Sequence, residues 1–297
     1  MTEKVSNLIT RTIVGVLFVI VMVGGIVWRP DTMLLLFAVI TGMTLWEYTG
    51  LVNDYVRDVR VNRFISTVAG IYLFLAVAAT QLGLTEGFVA FVPYILTLVY
   101  LFISELYLKG NNPINDWAYT ALGQFYVAFP ISLINILAFK TNADTMLIAD
   151  SSMPVYDPLL PLSIFIFLWT NDTGAYCSGS LLGKHKLFPR ISPGKTWEGS
   201  IGGGILVLIV AAAIGYWCNE YSTQPPTLSI AGWVGLGLVT AVFGTWGDLV
   251  ESLFKRTIGI KDSGNVLPGH GGMLDRFDSS LLTIPAAVAY LYTIALV

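Results

Sequence analysis

Nine long apolar stretches constrain the fold of this chain more than any other feature. An α-helix needs about 17 to 25 apolar residues to cross a hydrocarbon core of roughly 30 Å. Only 12% of the 297 residues are charged, about half the fraction of a typical soluble domain. The sequence therefore predicts an all-α fold, a polytopic bundle of about nine transmembrane helices forming a single membrane domain over residues 1–297. The stretches are residues 12–28, 33–51, 64–82, 88–108, 117–139, 159–178, 200–218, 230–249 and 279–297.

The distribution of Lys and Arg predicts how this bundle is oriented. Basic residues concentrate on the cytoplasmic side of membrane proteins because moving them across the bilayer is costly. Fourteen of the 16 Lys and Arg residues fall near the N-terminus or in every second link, and only Arg29 and Lys140 fall on the other side. We therefore expect a multi-pass protein of the cell membrane with its N-terminus in the cytoplasm and its C-terminus outside.

Charge and composition exclude two classes of site. A net charge of −3 leaves no broad basic face, so nucleic acid is not expected as a partner. The two cysteines and two histidines are too few and too scattered for a thiolate zinc site or a disulfide framework. Any metal ion is therefore expected to be bound by carboxylates.

Two links on the predicted cytoplasmic side are long, residues 179–199 and 250–278, and they carry eight of those fourteen basic residues. We expect the chemistry to lie there. The chain then divides into N-terminal helices, 1–150, and catalytic helices with their cytoplasmic loops, 159–297.

Carboxylates inside apolar stretches are candidates for function, because a charge in hydrocarbon costs a few kcal/mol. Asp172 lies about 18 Å along its helix from Leu160 at 1.5 Å per residue, and Asn171 precedes it. Asp172 is therefore a candidate functional residue with Asn171 as a polar neighbour, although a hydrogen bond that only joins two helices is the alternative for Asp172. Glu47 and Glu105, near cytoplasmic helix ends, are predicted to be snorkelling or packing residues.

The eighth stretch ends in a group of polar residues. If the helix continues beyond residue 249, Asp248, Ser252 and Lys255 share one face at i, i+4 and i+7. That face would offer a metal ligand, a hydroxyl and a phosphate-binding cation. For Lys255 and Arg256 the alternative is simple anchoring at the cytoplasmic interface.

The segment 261–278 combines glycines with charges. Glycines at 264, 269, 271 and 272 allow backbone N–H groups to approach an anion closely. Asp275 and Asp278 lie one turn apart where the last helix is predicted to begin, which suits helix capping as well as a hard cation. Mg²⁺ prefers a few carboxylates together with substrate phosphates, so Asp248 and Asp275 on two helices could share an ion.

The link 184–199 is rich in cations and hydroxyls, including Ser192, Lys195 and Thr196. This composition suits a polyphosphate or an anionic lipid headgroup at the cytoplasmic interface. An inert, positively charged cytoplasmic loop is the alternative.

These segments together resemble the signature of the phosphatidate cytidylyltransferase family, also called CDP-diacylglycerol synthases. The resemblance continues upstream through Asn171-Asp172, residues 192–199 and Gly247-Asp248-x-x-Glu251-Ser252, and covers the C-terminal half well. Gly194 departs from the pattern, because a second lysine is expected beside Lys195. The signature reads Ser252-x-Phe254-Lys255-Arg256, four residues, Lys261-Asp262-x-Gly264, two residues, then Leu267-Pro268-x-His270-Gly271-Gly272-Met273-x-Asp275-Arg276-Phe277-Asp278.

The resemblance implies transfer of CMP from CTP to phosphatidic acid, with release of pyrophosphate and a requirement for Mg²⁺. It implies that Asp248 and Asp275 bind the metal, with Asp278 in support, and it leaves open a second cation. The other catalytic residues would be Ser252 and Lys255. The implied substrate-binding residues are Asn171, Asp172, Ser192, Lys195, Thr196, Arg256, Lys261, Asp262, His270, Gly271, Gly272 and Arg276.

Two rival functions are weighed against this one. A CTP-dependent lipid kinase would use similar residues but transfer the γ-phosphoryl group. A transporter would need charges along a path between both faces, and the predicted outer side carries no matching cluster. The sequence leaves open whether the chain, beyond membrane lipid and its two substrates, also binds a second copy of itself as a homodimer.

Overall fold

The structure is a computed structural model that describes residues 3–108, 112–140, 155–221, 228–264 and 271–295. Its residues form two compact units. Unit 1 comprises Met1–Leu162 and Ile258–Phe277, and unit 2 comprises Ser163–Thr257 and Asp278–Val297. The grouping of the whole chain into one membrane domain stays a prediction.

Unit 1 is built mainly from helices that follow one another along the chain. Before α4 lies a 3₁₀ turn, Gly87–Phe91, and a π-helical segment, Gln124–Ala128, joins α5 to α6. Two short strands, β1 (Phe139–Lys140) and β2 (Val155–Tyr156), pair antiparallel. The helices are α1 (Glu3–Trp28), α2 (Pro30–Tyr55), α3 (Arg63–Gln81), α4 (Val92–Ser104), α5 (Pro113–Gly123), α6 (Phe129–Ser132) and α7 (Ile134–Ala138).

Unit 2 contains most of α8 (Leu159–Leu182), all of α9 (Trp197–Tyr221) and α10 (Ile230–Thr257), and the larger part of α11 (Leu274–Ala295). Between α8 and α9 lies an antiparallel hairpin of β3 (Lys186–Phe188) and β4 (Ser192–Thr196). The sequence had indicated only a polar link here, without strands. Lys, Pro and Gly dominate this segment and hide the strand pattern.

Eight helical segments of the described residues are long and apolar enough to cross a membrane. The predicted stretch that is not among these eight, residues 159–178, corresponds to α8, which is helical over 24 residues, but Asn171 and Asp172 lower its apolar character. The polytopic all-α fold is therefore confirmed. Beyond the apolar stretches themselves, α10 continues to Thr257, as the spacing of Asp248, Ser252 and Lys255 allowed, and α11 begins at Leu274, next to Asp275 where the last helix was predicted to begin.

Helix starts follow ordinary capping chemistry. The side chain of Asn62 accepts a hydrogen bond from the Ile65 N–H at the start of α3. Asn112 does the same for Asn115 at the start of α5, where Pro113 occupies the first helical position. These side chains satisfy N–H groups that the first helical turn leaves without a partner.

Small residues bring the helices of unit 2 unusually close together. A Cβ on Gly203 of α9 would lie 2.6 Å from the Asn171 carbonyl oxygen of α8. A Cβ on Gly247 of α10 would lie 2.8 Å from the carbonyl oxygen of Asp278 and 2.9 Å from the Cα of Ser279 in α11. Close backbone approach through small residues is a common way for membrane helices to pack. It brings the polar residues at positions 171, 248 and 278 onto touching helices.

Candidate active site

Asp248 is the centre of a polar cluster in unit 2. Its Oδ2 lies 2.6 Å from the Lys195 Nζ of β4, and its Oδ1 accepts a hydrogen bond of 3.1 Å from the Ser252 hydroxyl. The second contact confirms that α10 stays helical here, with Asp248 and Ser252 on one face. The side chains of Lys195 and Asp248 are 24% and 29% exposed, so the pair is only partly screened by water.

Asp278 adds a further carboxylate to this cluster. It is close enough to Asp248 and Asp172 for their negative charges to interact, and close enough to Lys255 for attraction. Its Oδ1 accepts a hydrogen bond of 2.5 Å from the Ser279 N–H. Because α10 and α11 touch at Gly247, Asp278 is brought beside Asp248. The structure thus brings together several predicted site residues within unit 2.

Lys255 forms an ion pair that the sequence analysis did not identify. Its Nζ lies 2.6 Å from Oε2 of Glu251, one turn earlier on α10, and the Glu251 side chain is fully buried. Removing one member of a buried pair leaves the other charge without compensation, at a cost of several kcal/mol. Glu251 therefore positions Lys255. Glu251 belongs to the segment that resembles the family, and this position could have identified it from the sequence.

The β3–β4 hairpin carries Lys195 to Asp248 and is attached at several points. The carboxylate of Glu198 accepts hydrogen bonds of 3.2 Å from the His185 N–H and lies 2.6 Å from His185 Nδ1. The rings of Phe188 and Trp246 meet edge to face at 5.9 Å. Arg256 donates from Nε to the Ile191 carbonyl at 3.4 Å. These contacts fix the hairpin against α9 and α10.

Two of the predicted substrate-binding residues have structural partners. The Thr196 hydroxyl, which is buried, accepts a hydrogen bond of 3.1 Å from the Gly199 N–H and so caps α9. The buried side chain of Asn171 donates to the Thr245 hydroxyl at 3.4 Å and so links α8 to α10. Ser192, in β4, is half-buried, whereas Asp172 in α8 is exposed.

Unit 1 contains a second polar cluster, around Glu47 of α2. Its carboxylate accepts hydrogen bonds from the Met273 N–H at 2.8 Å, the Leu274 N–H at 3.0 Å and the Ser263 hydroxyl. Glu47 is 9% exposed. Burial excludes snorkelling for Glu47 but agrees with the other half of the prediction, a packing residue. The rule that singled out Asp172, a carboxylate within an apolar stretch, would have found it.

The glycines of the signature loop surround this carboxylate. A Cβ on Gly272 would overlap the Glu47 carboxylate, and one on Gly264 would lie 3.1 Å from its Oε2. Gly271 has φ +81°, a conformation that side-chain-bearing residues rarely adopt. Glycine is thus required at 271 by backbone conformation and at 272 by space.

Asp275 is fixed by the same loop. Its Oδ2 accepts hydrogen bonds of 2.9 Å from the N–H groups of Ser263 and Gly272, and its own N–H donates to the Ser263 hydroxyl at 3.3 Å. Its position at the start of α11 places it at the positive end of the helix dipole. Asp275 belongs to unit 1 and Asp248 to unit 2, and their sharing of one ion stays a prediction.

The remaining predicted residues lie on the surface or outside the described part of the chain. Lys261, Asp262 and Arg276 are exposed, and His270 lies outside the described residues. In the part of the chain that the structure describes, no three His, Cys, Asp or Glu side chains are arranged to hold a metal ion.

Comparison with known proteins identifies the family. Residues 9–294 match the model of the cytidylyltransferase family. This chain belongs to the cytidylyltransferase family. Among its relatives is the phosphatidate cytidylyltransferase of Haemophilus influenzae, 31% identical over 277 residues that cover 91% of this chain and 93% of that protein.

Other relatives match a shorter segment of this chain at higher sequence identity. The phosphatidate cytidylyltransferase of Staphylococcus aureus is 50% identical over 126 residues, which cover 42% of this chain and 45% of that protein. That of Staphylococcus saprophyticus is 49% identical over a segment of the same length. The predicted resemblance to this family is therefore confirmed.

Proposed function

We propose that this chain is a phosphatidate cytidylyltransferase that transfers CMP from CTP to phosphatidic acid, giving CDP-diacylglycerol and pyrophosphate. The observation that carries the proposal is the match to the Haemophilus influenzae enzyme across 91% of the chain. The Lys195–Asp248–Ser252 cluster in unit 2 supports it, because it combines a cation and a hydroxyl with a carboxylate in a membrane helix bundle.

The reaction requires positioning of the substrates and neutralisation of their charge more than it requires a strong base. An oxygen of the lipid phosphate forms a new bond to the α-phosphorus of CTP, and the bond from that phosphorus to the bridging oxygen of pyrophosphate breaks. No proton has to be removed from the nucleophile. Lys195 and Lys255, both fixed by carboxylates, are suited to bind phosphate oxygens, while the Ser252 hydroxyl can donate a hydrogen bond.

The donor set fits the Mg²⁺ that the resemblance implies. Mg²⁺ takes hard oxygen ligands, ordinarily one or two carboxylates together with substrate phosphates. Asp248, with Asp278 beside it, offers such oxygens in unit 2, and Asp275 offers them in unit 1. When bound, the ion would neutralise charge on the triphosphate. Whether a second cation takes part is left to experiment.

Labelled CTP tests which phosphorus is attacked. Purified protein incubated with phosphatidic acid, Mg²⁺ and α-labelled CTP is expected to move label into the lipid fraction. With γ-labelled CTP, the label should appear in soluble pyrophosphate. Entry of γ-label into lipid, with CDP as the soluble product, would show a lipid kinase instead.

Substitutions test the proposed metal ligands. Asp248→Asn and Asp275→Asn each remove a charged oxygen, so we expect kcat to fall by roughly 100-fold or more without rescue by CTP. Asp278→Asn should have a smaller effect, and the exposed Glu220→Gln on α9 serves as the control. Near-normal rates of both Asp248→Asn and Asp275→Asn at limiting Mg²⁺ would refute the metal assignment.

We further propose that the active site faces the cytoplasm of the cell membrane, on the basis of the basic asymmetry. Single cysteines at Lys186 and Leu84, both exposed positions, can be tested in a background without Cys177 and Cys218. An impermeant thiol reagent applied outside intact cells should label position 84 and spare position 186. Labelling of position 186 from outside would reverse the topology.

A further inference from the structure

Unit 1 contains a pocket of about 740 Å³ along α2 and α3. This volume lies in the range of small-molecule sites, about 300–1,000 Å³. One end is apolar, lined by Ala38, Val39 and Met43 of α2 and Ile71 of α3. From Ala38 to the polar end at Asp54 the pocket follows α2 for about 24 Å, at 1.5 Å per residue. The pocket is therefore longer than the hydrocarbon of one leaflet, roughly 15 Å, through which an acyl chain extends.

The polar end contains an arginine in a fixed position. The Arg63 guanidinium lies 4.1 Å from the centre of the Trp46 ring, and its Nε donates to the Trp46 carbonyl at 2.8 Å. Gly50 leaves room for it, since a Cβ there would lie 2.8 Å from Nη2. A planar guanidinium held in this way is suited to bind a phosphate. Asp54 also lines this end but is exposed to solvent.

The same end of the pocket is lined by the signature loop. Ser263 and Gly264 form part of the wall, next to the Glu47 carboxylate that fixes the loop. An occupant with its polar group at Arg63 would therefore lie against the loop that carries Asp275. The pocket is apolar at one end, and at the other Arg63 lies with two carboxylates. Glu47 is already bonded to the loop and Asp54 is exposed, so Arg63 is the charged group that suits the phosphate of an anionic lipid.

We propose that this pocket binds the phosphatidic acid substrate, with one acyl chain between α2 and α3 and its phosphate at Arg63. The inference rests on the proposed function for the identity of the lipid. It assigns to the N-terminal helices, for which the sequence suggested no role, the binding of the lipid substrate.

Photocrosslinking tests the site without relying on turnover. Phosphatidic acid carrying a photoreactive group in one acyl chain is added to the purified protein, and labelled peptides are mapped by mass spectrometry. We expect label in α2 around Ala38 and in α3 around Ile71. Unlabelled phosphatidic acid should suppress it, and phosphatidylcholine should not. Equal suppression by both lipids, or label confined to other helices, would overturn the proposal.

Kinetics of matched variants provide the second test. Arg63→Gln should raise KM for phosphatidic acid about 10-fold and leave KM for CTP unchanged, because one charge-assisted contact is lost. Arg63→Lys should recover part of the loss. Arg57→Gln, an exposed arginine of the same link that does not line the pocket, should behave as the wild type. Equal effects of the Arg63 and Arg57 variants would overturn the assignment of Arg63.

A bulky residue tests the apolar end. Ala38→Trp should fill the pocket and reduce both crosslinking and lipid affinity, whereas Leu75→Trp on an exposed face of α3 should do neither. If crosslinking maps to the pocket but no CDP-diacylglycerol forms, the proposed function fails while the lipid site stands. If product forms but Ala38→Trp binds lipid normally, the site fails and the function stands.

Discussion

Replacing Glu47 with alanine should detach the signature loop from α2. The carboxylate accepts hydrogen bonds from Met273 N, Leu274 N and the Ser263 hydroxyl, three donors that lie more than 200 residues away in the chain. Two of these donors are N–H groups at the start of α11, where no helical carbonyl is available to them. The loss should therefore be concentrated in the loop and the first turn of α11.

The size of the effect follows from these contacts. A buried donor left without a partner costs about 1–3 kcal/mol. Three donors at the lower limit amount to about 3 kcal/mol, since water can enter the space left by the side chain. Opening of the loop should then become roughly 100-fold more frequent, because each 1.4 kcal/mol is a factor of ten.

Hydrogen exchange measures this opening directly. In purified protein, a peptide that covers Met273 and Leu274 should exchange roughly 100-fold faster in Glu47→Ala, while peptides from α9 keep their protection. Glu47→Gln keeps one acceptor and should give an intermediate rate. Asp31→Asn removes an exposed carboxylate from the same helix and should change nothing.

Activity links the contact to the function. Because Asp275 is fixed by the same loop, Glu47→Ala should lower kcat as well as protection. Unchanged exchange at Met273 and Leu274 in a folded Glu47→Ala protein would refute the role of this carboxylate. Exchange that accelerates equally throughout the protein would show a general loss of stability instead.

Three further outcomes are expected. Gly272→Ala should reproduce the loop opening, because its methyl group would overlap the Glu47 carboxylate, whereas Gly194→Ala, with nothing within 4 Å, should be neutral in the same exchange assay. Thr196→Val should lower the free energy of unfolding by about 1 kcal/mol through loss of the α9 cap, with Thr196→Ser close to wild type in a denaturant titration. Burial raises the pKa of Glu105, so the folded state binds a proton at this carboxyl more tightly than the unfolded state does. The stability that this proton contributes is present below the ordinary pKa of a glutamate and is lost as pH rises through the raised value. Glu105→Gln should weaken this pH dependence when the melting temperature is measured across that range.

Much of the fold could be predicted from hydropathy alone. Each of the nine stretches is mainly helical in the described residues, because backbone groups in hydrocarbon must bond within their own segment. The continuation of α10 to Thr257 was predictable from the spacing of Asp248 and Ser252, which the structure confirms with a hydrogen bond. The β3–β4 hairpin was not predictable, since strand pairing over so few residues depends on contacts with distant ones.

The site was predictable in its residues but not in its pairing. Sequence spacing brought Asp248 and Ser252 together, because both lie on one helix. It could not show that Lys195 meets Asp248, or that Glu47 meets the glycine loop, since these partners are distant in the chain. Snorkelling was predicted as one possibility for Glu47 because a glutamate near a helix end usually reaches water, and only the packed structure shows that this one does not.

The contact between Glu47 and the Met273 N–H also has a consequence for biogenesis. The carboxylate enters the membrane with the second helix, but its partner is synthesised 226 residues later. During that interval an intramembrane charge, which costs a few kcal/mol, must be tolerated or solvated by other groups. A chain truncated after α10 would lack all three donors and would leave the Glu47 carboxylate without these hydrogen bonds.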